Sequence, residues 1–176
     1  MKIVELNRSE YKGYELDCKY QTKAYYDVII KKKKDIKILI KRKKFGRKQE
    51  KGFISHLFEE YIDQPRVFGV LDKKKVVGVI EGSMETWNNR FRIWNFLVDK
   101  KYRNEGIGKE LFDFMVEHAM KEKARAIILE VQSCNDNAIR FYMKRGLHFV
   151  GLNTMEYSNE DIENKEVRLE MGKRLL

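Results

Sequence analysis

Proline is almost absent: Pro65 is the only one in 176 residues. A proline-rich linker between two domains is thereby excluded, and the length fits one domain with a substantial core. Cysteine is nearly as scarce. Cys18 and Cys134 stand far apart without metal-ligand spacing, so a disulfide scaffold and a zinc site are excluded. Reduced thiols, as in a cytoplasm, are the expectation, and no metal is expected. No apolar run approaches the roughly eighteen residues of a membrane span, so no membrane partner is expected either. The opening Met1-Lys2-Ile3-Val4-Glu5 is not built like a signal peptide. Two phosphate signatures are also missing. No Gly-Lys-Ser/Thr follows four variable residues, and no Gly-x-Gly-x-x-Gly follows an N-terminal strand, which excludes the Walker A loop and the dinucleotide fingerprint.

What the chain has in excess is positive charge, 37 Lys/Arg against 27 Asp/Glu. Residues 31–51 hold twelve of those cations and only Asp35 and Glu50 as acids, and elsewhere the two signs cancel. Basicity therefore belongs to one segment, which is weaker evidence for nucleic acid than a basic face built from several elements. A solvated lysine-rich hairpin tip, which discourages pairing between strand edges, explains the block. An anionic partner is the alternative.

Period-two alternation marks a strand from Tyr14 to Tyr20, and Tyr25–Ile30 and Asp35–Lys41 read as a hairpin around Lys31–Lys34. Phe53, Leu57, Phe58 and Tyr61 fall at helical spacing, which predicts a helix over 53–62 that ends before Pro65. Arg66–Leu71, Val76–Thr86 and Phe91–Val98 read as an antiparallel meander. Ile107, Leu111, Phe112, Met115 and Ala119 form the apolar stripe of a helix reaching about Lys123. The apolar run Arg125–Gln132 then makes a parallel strand by a crossover. A short helix over Asn137–Arg145, capped by Gly146, precedes a hairpin of Leu147–Tyr157 with Lys165–Met171.

Between the strand ending at Val98 and the next helix lies Arg103-Asn104-Glu105-Gly106-Ile107-Gly108. A glycine-bearing turn that opens a helix gathers free backbone N–H groups at the positive end of the helix dipole. That is an anion site, most often for phosphate or pyrophosphate. Arg103 adds a positive fork. Taken alone, Arg-x-x-Gly-x-Gly is a common pattern that a helix cap also explains. A second signature follows it, Leu129-Glu130-Val131-Gln132-Ser133-Cys134-Asn135-Asp136-Asn137-Ala138-Ile139-Arg140-Phe141-Tyr142-Met143-Lys144-Arg145-Gly146-Leu147.

The two signatures together, over about Val76–Phe149, resemble the acetyl-CoA-binding core of the GNAT superfamily of N-acetyltransferases. The closing stretch, Glu156–Asn159 through Glu166–Glu170, resembles streptothricin-acetyltransferase-like members. The resemblance implies an α/β (α+β) GNAT fold: a mixed central sheet with a splayed strand pair and flanking helices. It implies one domain over 1–176, with a strand-rich part at about 1–64, a core at about 65–150 and a hairpin at about 147–172.

Acetyl-CoA is the implied co-substrate. Its pyrophosphate would meet the N–H groups of Glu105, Gly106, Ile107, Gly108 and Lys109, with Asn104 in the same loop and Arg103 alongside. Its pantetheine arm would pair with Leu97 and Val98, where the family places a β-bulge, and Asn135 would orient that arm. An amine would attack the thioester carbonyl in a ternary complex, forming a C–N bond as the C–S bond breaks. Tyr142 occupies the family's general-acid position. A phenol near pKa ~10 stays protonated beside a leaving thiol near ~8.5. The plain alternatives are a core tyrosine for Tyr142 and a helix N-cap for Asn135, where Asn137 competes.

The base is less determined, because Arg92 stands where several relatives carry a carboxylate. Glu130, twelve residues before Tyr142, has the offset of the ribosomal-protein acetyltransferases and interrupts an apolar strand. Glu81 and Glu85, which share a strand face with Val77 and Val79, are the other candidates. Glu105 puts a negative charge where many relatives have glycine. His118 and His148 read as structural.

For the acceptor, the acidic loop with Glu156, Glu160, Asp161 and Glu163 would attract a cationic amine, and a solvated turn is its plain reading. Trp87, Trp94 and Tyr157 are candidate lining residues or core. A streptothricin-like antibiotic, a polyamine, or a protein lysine or N-terminal amine fits this reading. A non-catalytic CoA-binding module and a nucleic-acid-binding module are the competing functions. Dimers are common among the resembled relatives, so a homodimer stays open.

Overall fold

The computed structural model describes residues 2–176. Strand β1 (Ile3–Glu5), helix α1 (Arg8–Tyr11) and strand β2 (Glu15–Asp17) lead into the long strands β3 (Tyr20–Lys32) and β4 (Ile36–Lys51). Strands β5 (Ile54–His56), β6 (Arg66–Asp72), β7 (Lys75–Glu85) and β8 (Arg90–Val98) follow. Helix α2 (Ile107–Lys121), β9 (Ala126–Gln132), α3 (Asp136–Met143), β10 (His148–Asn153), α4 (Asp161–Asn164) and β11 (Arg168–Arg174) complete the chain. These elements form two compact units. One comprises the stretch ending at Cys18, Phe53–Leu129 and Arg174–Leu176; the other comprises Lys19–Gly52 and Glu130–Lys173.

In the first unit the strand order is β1-β6-β7-β8-β9. Neighbours are antiparallel except β8 and β9, which pair parallel over Arg90–Ile93 and Ala126–Leu129, so the sheet is mixed as expected. A parallel pair needs a crossover, and α2 supplies it. Its stripe Ile107, Leu111, Phe112, Met115 and Ala119 is buried. Gly78 on β7 is what lets the helix come so close. A Cβ there would stand 2.7 Å from Ile107 Cγ2 and 3.0 Å from Leu111 Cδ1. A second cluster of Leu6, Leu16, Leu57, Phe58, Val67, Val76 and Val79 fills this unit's core.

Three expectations are corrected here. The alternating run Tyr14–Tyr20 is two strands, with β2 ending at Asp17 and β3 starting at Tyr20. The helix over 53–62 does not form. Ile54–His56 instead pairs antiparallel with β2, and Phe58 takes a left-handed backbone at φ 59°, which no helix tolerates. The bulge lies earlier than Leu97–Val98. Glu81 faces Asn95 while Gly82 faces Ile93, so Trp94 is the extra residue on β8, and Leu97 and Val98 pair in register with Val79 and Gly78. Pairing with β9 within this unit ends at Ile93, while β8 runs on to Val98.

In the second unit, β3 and β4 form a long antiparallel hairpin whose turn is Lys33–Asp35, and β10 pairs antiparallel with β11. The end of β9 continues here, in the order β9-β11-β10. Helix α3 buries Ile139 and Tyr142, and Gly146 follows it at φ 80°, as its placement predicts.

Candidate active site

The glycine loop belongs to the first unit. Asp99 caps a single 3₁₀ turn, Lys100–Tyr102, by accepting from Lys101 N at 3.0 Å. The chain then takes left-handed backbones at Asn104 (φ 69°) and Gly106 (φ 91°) before α2 begins. Gly106 is the N-cap of α2 and carries no side chain to cap it, so the first-turn N–H groups of Ile107, Gly108 and Lys109 are left to a ligand or water. A Cβ on Gly106 would have only Glu110 Oε1 within 4 Å, at 3.9 Å, so the space before the helix end is open. Arg103 is exposed, and its Nε donates to the Val98 carbonyl at 2.9 Å, which ties the loop to the end of β8. Glu105 is exposed. A concave run of N–H groups at a helix N-terminus beside an arginine fits a pyrophosphate.

One face of the β7–β8 pair is polar and was only half legible. Glu81 is 0% exposed, and its carboxylate accepts from Phe58 N at 2.8 Å and Asn95 Nδ2 at 2.6 Å. Asn95 Oδ1 in turn accepts from Ser55 Oγ at 2.8 Å. Burial pushes the Glu81 carboxyl above its ordinary value, against the opposing pull of the two donors. Glu85 sits differently: Arg92 Nε reaches its Oε1 at 2.7 Å and Arg90 Nε its Oε2 at 2.9 Å. Burial alone would raise the Glu85 carboxyl, but the two guanidiniums outweigh it and hold the carboxyl low. Arg92, which displaced a carboxylate from the expected base position, is thus the partner of another. It also stacks on Trp94, 5.3 Å from the ring centroid, and Trp94 Nε1 donates to Ser83 Oγ at 2.9 Å. The bulge at Trp94 explains why Asn95 and Arg92, three apart, share this face. Asn95 was missed, although a polar residue in the apolar run of β8 is the same signal that singled out Glu130. Trp87 is 83% exposed, with the Arg90 guanidinium 5.9 Å from its ring centroid.

In the second unit Asn135 wins the cap from Asn137: its Oδ1 accepts from Ala138 N at 3.2 Å. Tyr142 is buried on α3 beside Phe141, with ring centroids 5.5 Å apart. Glu130 is exposed on β9 and pairs with Arg168 Nε at 3.1 Å, and Tyr157 Oη donates to it at 3.4 Å. Arg168 also contacts Glu156 and Glu170, so one guanidinium serves three carboxylates. Burial keeps the Tyr157 phenol protonated far above its ordinary range.

The acidic loop is not uniformly solvated. Asp161 is 0% exposed and accepts from Glu156 N, Tyr157 N, Ser158 N and Ser158 Oγ at 2.8–3.1 Å. It therefore shapes the loop and cannot attract a distant amine. Burial raises its carboxyl, but these donors outweigh burial and hold it below the ordinary value of 3.8. Its stability contribution is then present above the unfolded pKa and lost as pH falls through the folded one. Asp161→Ala is expected to destabilise the protein by about 2–3 kcal/mol at neutral pH, because four donors lose their acceptor. Urea unfolding should show that difference shrinking below roughly pH 4.

With this geometry in place, comparison with known proteins decides the family. Residues 34–149 match the acetyltransferase (GNAT) family. The chain belongs to it. Over 83 residues this GNAT chain is 30% identical to the spermine/spermidine N(1)-acetyltransferase of Bacillus subtilis strain 168, covering 46% of the chain and 53% of that protein. Over 90 residues it is 30% identical to the streptothricin acetyltransferase of Streptomyces lavendulae, covering 51% and 48%. It spans about half the length of the curated relatives it matches. In fold it is similar to a structure assigned to a streptothricin acetyltransferase of Bacillus anthracis strain Ames, solved in complex with acetyl coenzyme A. The TM-score is 0.75 at 24% identity, over 99% of this chain and 97% of that one. The GNAT fold, with its mixed sheet, agrees with the reading of the two signatures, and the likeness to streptothricin acetyltransferases with that of the closing stretch.

Proposed function

We propose that this GNAT chain transfers the acetyl group of acetyl-CoA to a primary amine of a small cationic molecule, in the class of polyamines and streptothricin-like antibiotics. The observation that carries the reading is the uncapped start of α2 behind left-handed Asn104 and Gly106, with Arg103 alongside. It supplies the oriented donors that the pyrophosphate of CoA requires. The acceptor class is supported by the polyamine and streptothricin relatives, which act on amines of that kind by name.

When bound, acetyl-CoA supplies the activated acyl carbon and a thiolate leaving group. The chain's own residues then have five tasks. Arg103 and the N–H groups of Glu105 to Lys109 hold the pyrophosphate, and the backbone of Leu97 and Val98 lies along the arm. Asn135 holds the start of α3. Glu130 takes the amine proton, directly or through water, from its exposed place on β9 beside Arg168. Tyr142 returns a proton to the thiolate. A free amine near pKa ~10.4 makes deprotonation at pH 7 cost roughly 4–5 kcal/mol, so a nearby base is needed. Glu81, fully buried, and Glu85, held by two guanidiniums, hold the framework instead.

A panel of amines with acetyl-CoA, followed by thiol release, tests this. Spermidine or a streptothricin should give turnover, whereas a peptide amine should not. Thiol release only with peptides would move the acceptor to protein amines. Measurable CoA binding with no thiol release for any amine would remove the enzymatic reading.

A further inference from the structure

The cations of the basic segment are not equivalent: some are paired within the protein and the others stand in solvent. Farther from the tip of the β3–β4 hairpin three of them are paired internally, while Lys41, Lys44, Arg47 and Lys48 stay exposed. Arg42 forks onto Asp136 at 2.7 and 2.9 Å, Lys43 reaches Asp27 at 2.6 Å, and Lys51 reaches Glu166 at 2.7 Å. Toward the tip, Lys31–Lys34 and Lys37 are all exposed and have no ion pair among the described residues.

The tip is also apolar in a way that solvation does not explain. Ile36 is 73% exposed and Ile38 is 52% exposed. Register places Ile36 opposite Lys32, Ile38 opposite Ile30 and Ile40 opposite Val28, so these isoleucines share one face of the hairpin. The opposite face at the same level pairs Lys31 with Lys37. Two bulky β-branched side chains in water, beside five lysines and the single carboxylate Asp35, form an exposed patch of net positive charge.

We propose that this tip is a docking surface for an anionic lipid bilayer. The lysines complement phosphodiester headgroups, and the two isoleucines enter the boundary between headgroups and acyl chains. The contact is peripheral and needs no spanning segment. A second copy of the chain does not fit, since two such tips would bring like charges together. Nucleic acid accounts for the lysines but gives the isoleucines nothing to do. No aromatic side chain occurs between Lys31 and Lys44 on which a base could stack.

The full chain should sediment with vesicles of phosphatidylcholine containing roughly 30% phosphatidylglycerol and stay in solution with phosphatidylcholine alone. Replacing Lys31, Lys32, Lys33 and Lys34 by Ser should lower partitioning by about a hundredfold or more. The double change Ile36→Ser with Ile38→Ser, which leaves every charge in place, should lower it about tenfold. Circular dichroism of both variants should match that of the parent, because all six residues are exposed. Binding unaffected by the isoleucine changes, together with equal affinity for a single-stranded oligonucleotide, would assign the tip to nucleic acid and overturn the proposal. Absence of sedimentation with the anionic vesicles at low salt would overturn it as well.

Discussion

Tyr142→Phe should lower kcat for acetyl transfer by roughly a hundredfold, the lower end of what a positioned general acid supplies. Affinity for acetyl-CoA should stay within about twofold, because an interaction made only as the bond breaks does not contribute to ground-state binding. The substitution is conservative for the fold. Tyr142 is buried on α3 with its ring against Phe141, and Phe keeps the ring while deleting only the hydroxyl. The helix keeps its Asn135 cap and its closure at Gly146, where Gly146 N donates to Met143 O at 3.0 Å. Stopped thiol release with saturating amine gives kcat, and calorimetric titration of acetyl-CoA gives affinity. If both fall together, Tyr142 is holding the architecture of α3. If neither falls, the thiolate finds its proton elsewhere.

The division between what the sequence carries and what it leaves unsaid follows a physical line. The glycine loop and the α3 signature are local: a turn, a cap and a helix start are specified within a few residues, so Arg103–Gly108 and Asn135–Gly146 were readable where they stand. The stripe on α2 is equally local, with five apolar residues on one face. The failures are non-local. Phe53, Leu57, Phe58 and Tyr61 carry a helical period, yet Phe58 is left-handed because its N–H is held by a carboxylate 23 residues away in sequence, on β7. The bulge at Trp94 also depends on a cross-strand fit. Gly82 allows the ring of Phe91 to lie where a Cβ would come within 2.4 Å of it, and no period-two count along β8 reveals that. Arg92 was recognised as standing in place of a base, but only the neighbouring strand shows that its role is to hold Glu85. Asp161 looked like one more solvated acid, and Ser158 three residues before it was the available sign of a turn built by side-chain acceptance.

Glu81→Ala should destabilise the protein by about 3 kcal/mol, the second large effect, through the loss of an acceptor that two buried donors require. Without the carboxylate, the N–H of Phe58 is orphaned in a left-handed conformation that itself costs roughly 1–2 kcal/mol. Asn95 would then keep Ser55 but lose its stronger partner, so the 55–62 segment should loosen over the polar face of β7 and β8. Glu81→Gln separates charge from shape. Burial raises the Glu81 carboxyl in the folded state above its ordinary 4.5, so its contribution to stability is full below that value and declines as pH rises through the folded pKa. The stability gap between the parent and Glu81→Gln should therefore be widest in mild acid and narrow toward neutrality, as read by urea midpoints across that range. A catalytic role makes the opposite forecast: Glu81→Gln would abolish turnover with its unfolding midpoint unchanged, whereas Glu130→Gln would leave turnover intact. A buried carboxylate with both oxygens engaged is poorly placed to receive a proton from solvent. Glu130 is open to solvent although Arg168 and Tyr157 engage it, and the pair of amide substitutions decides between them.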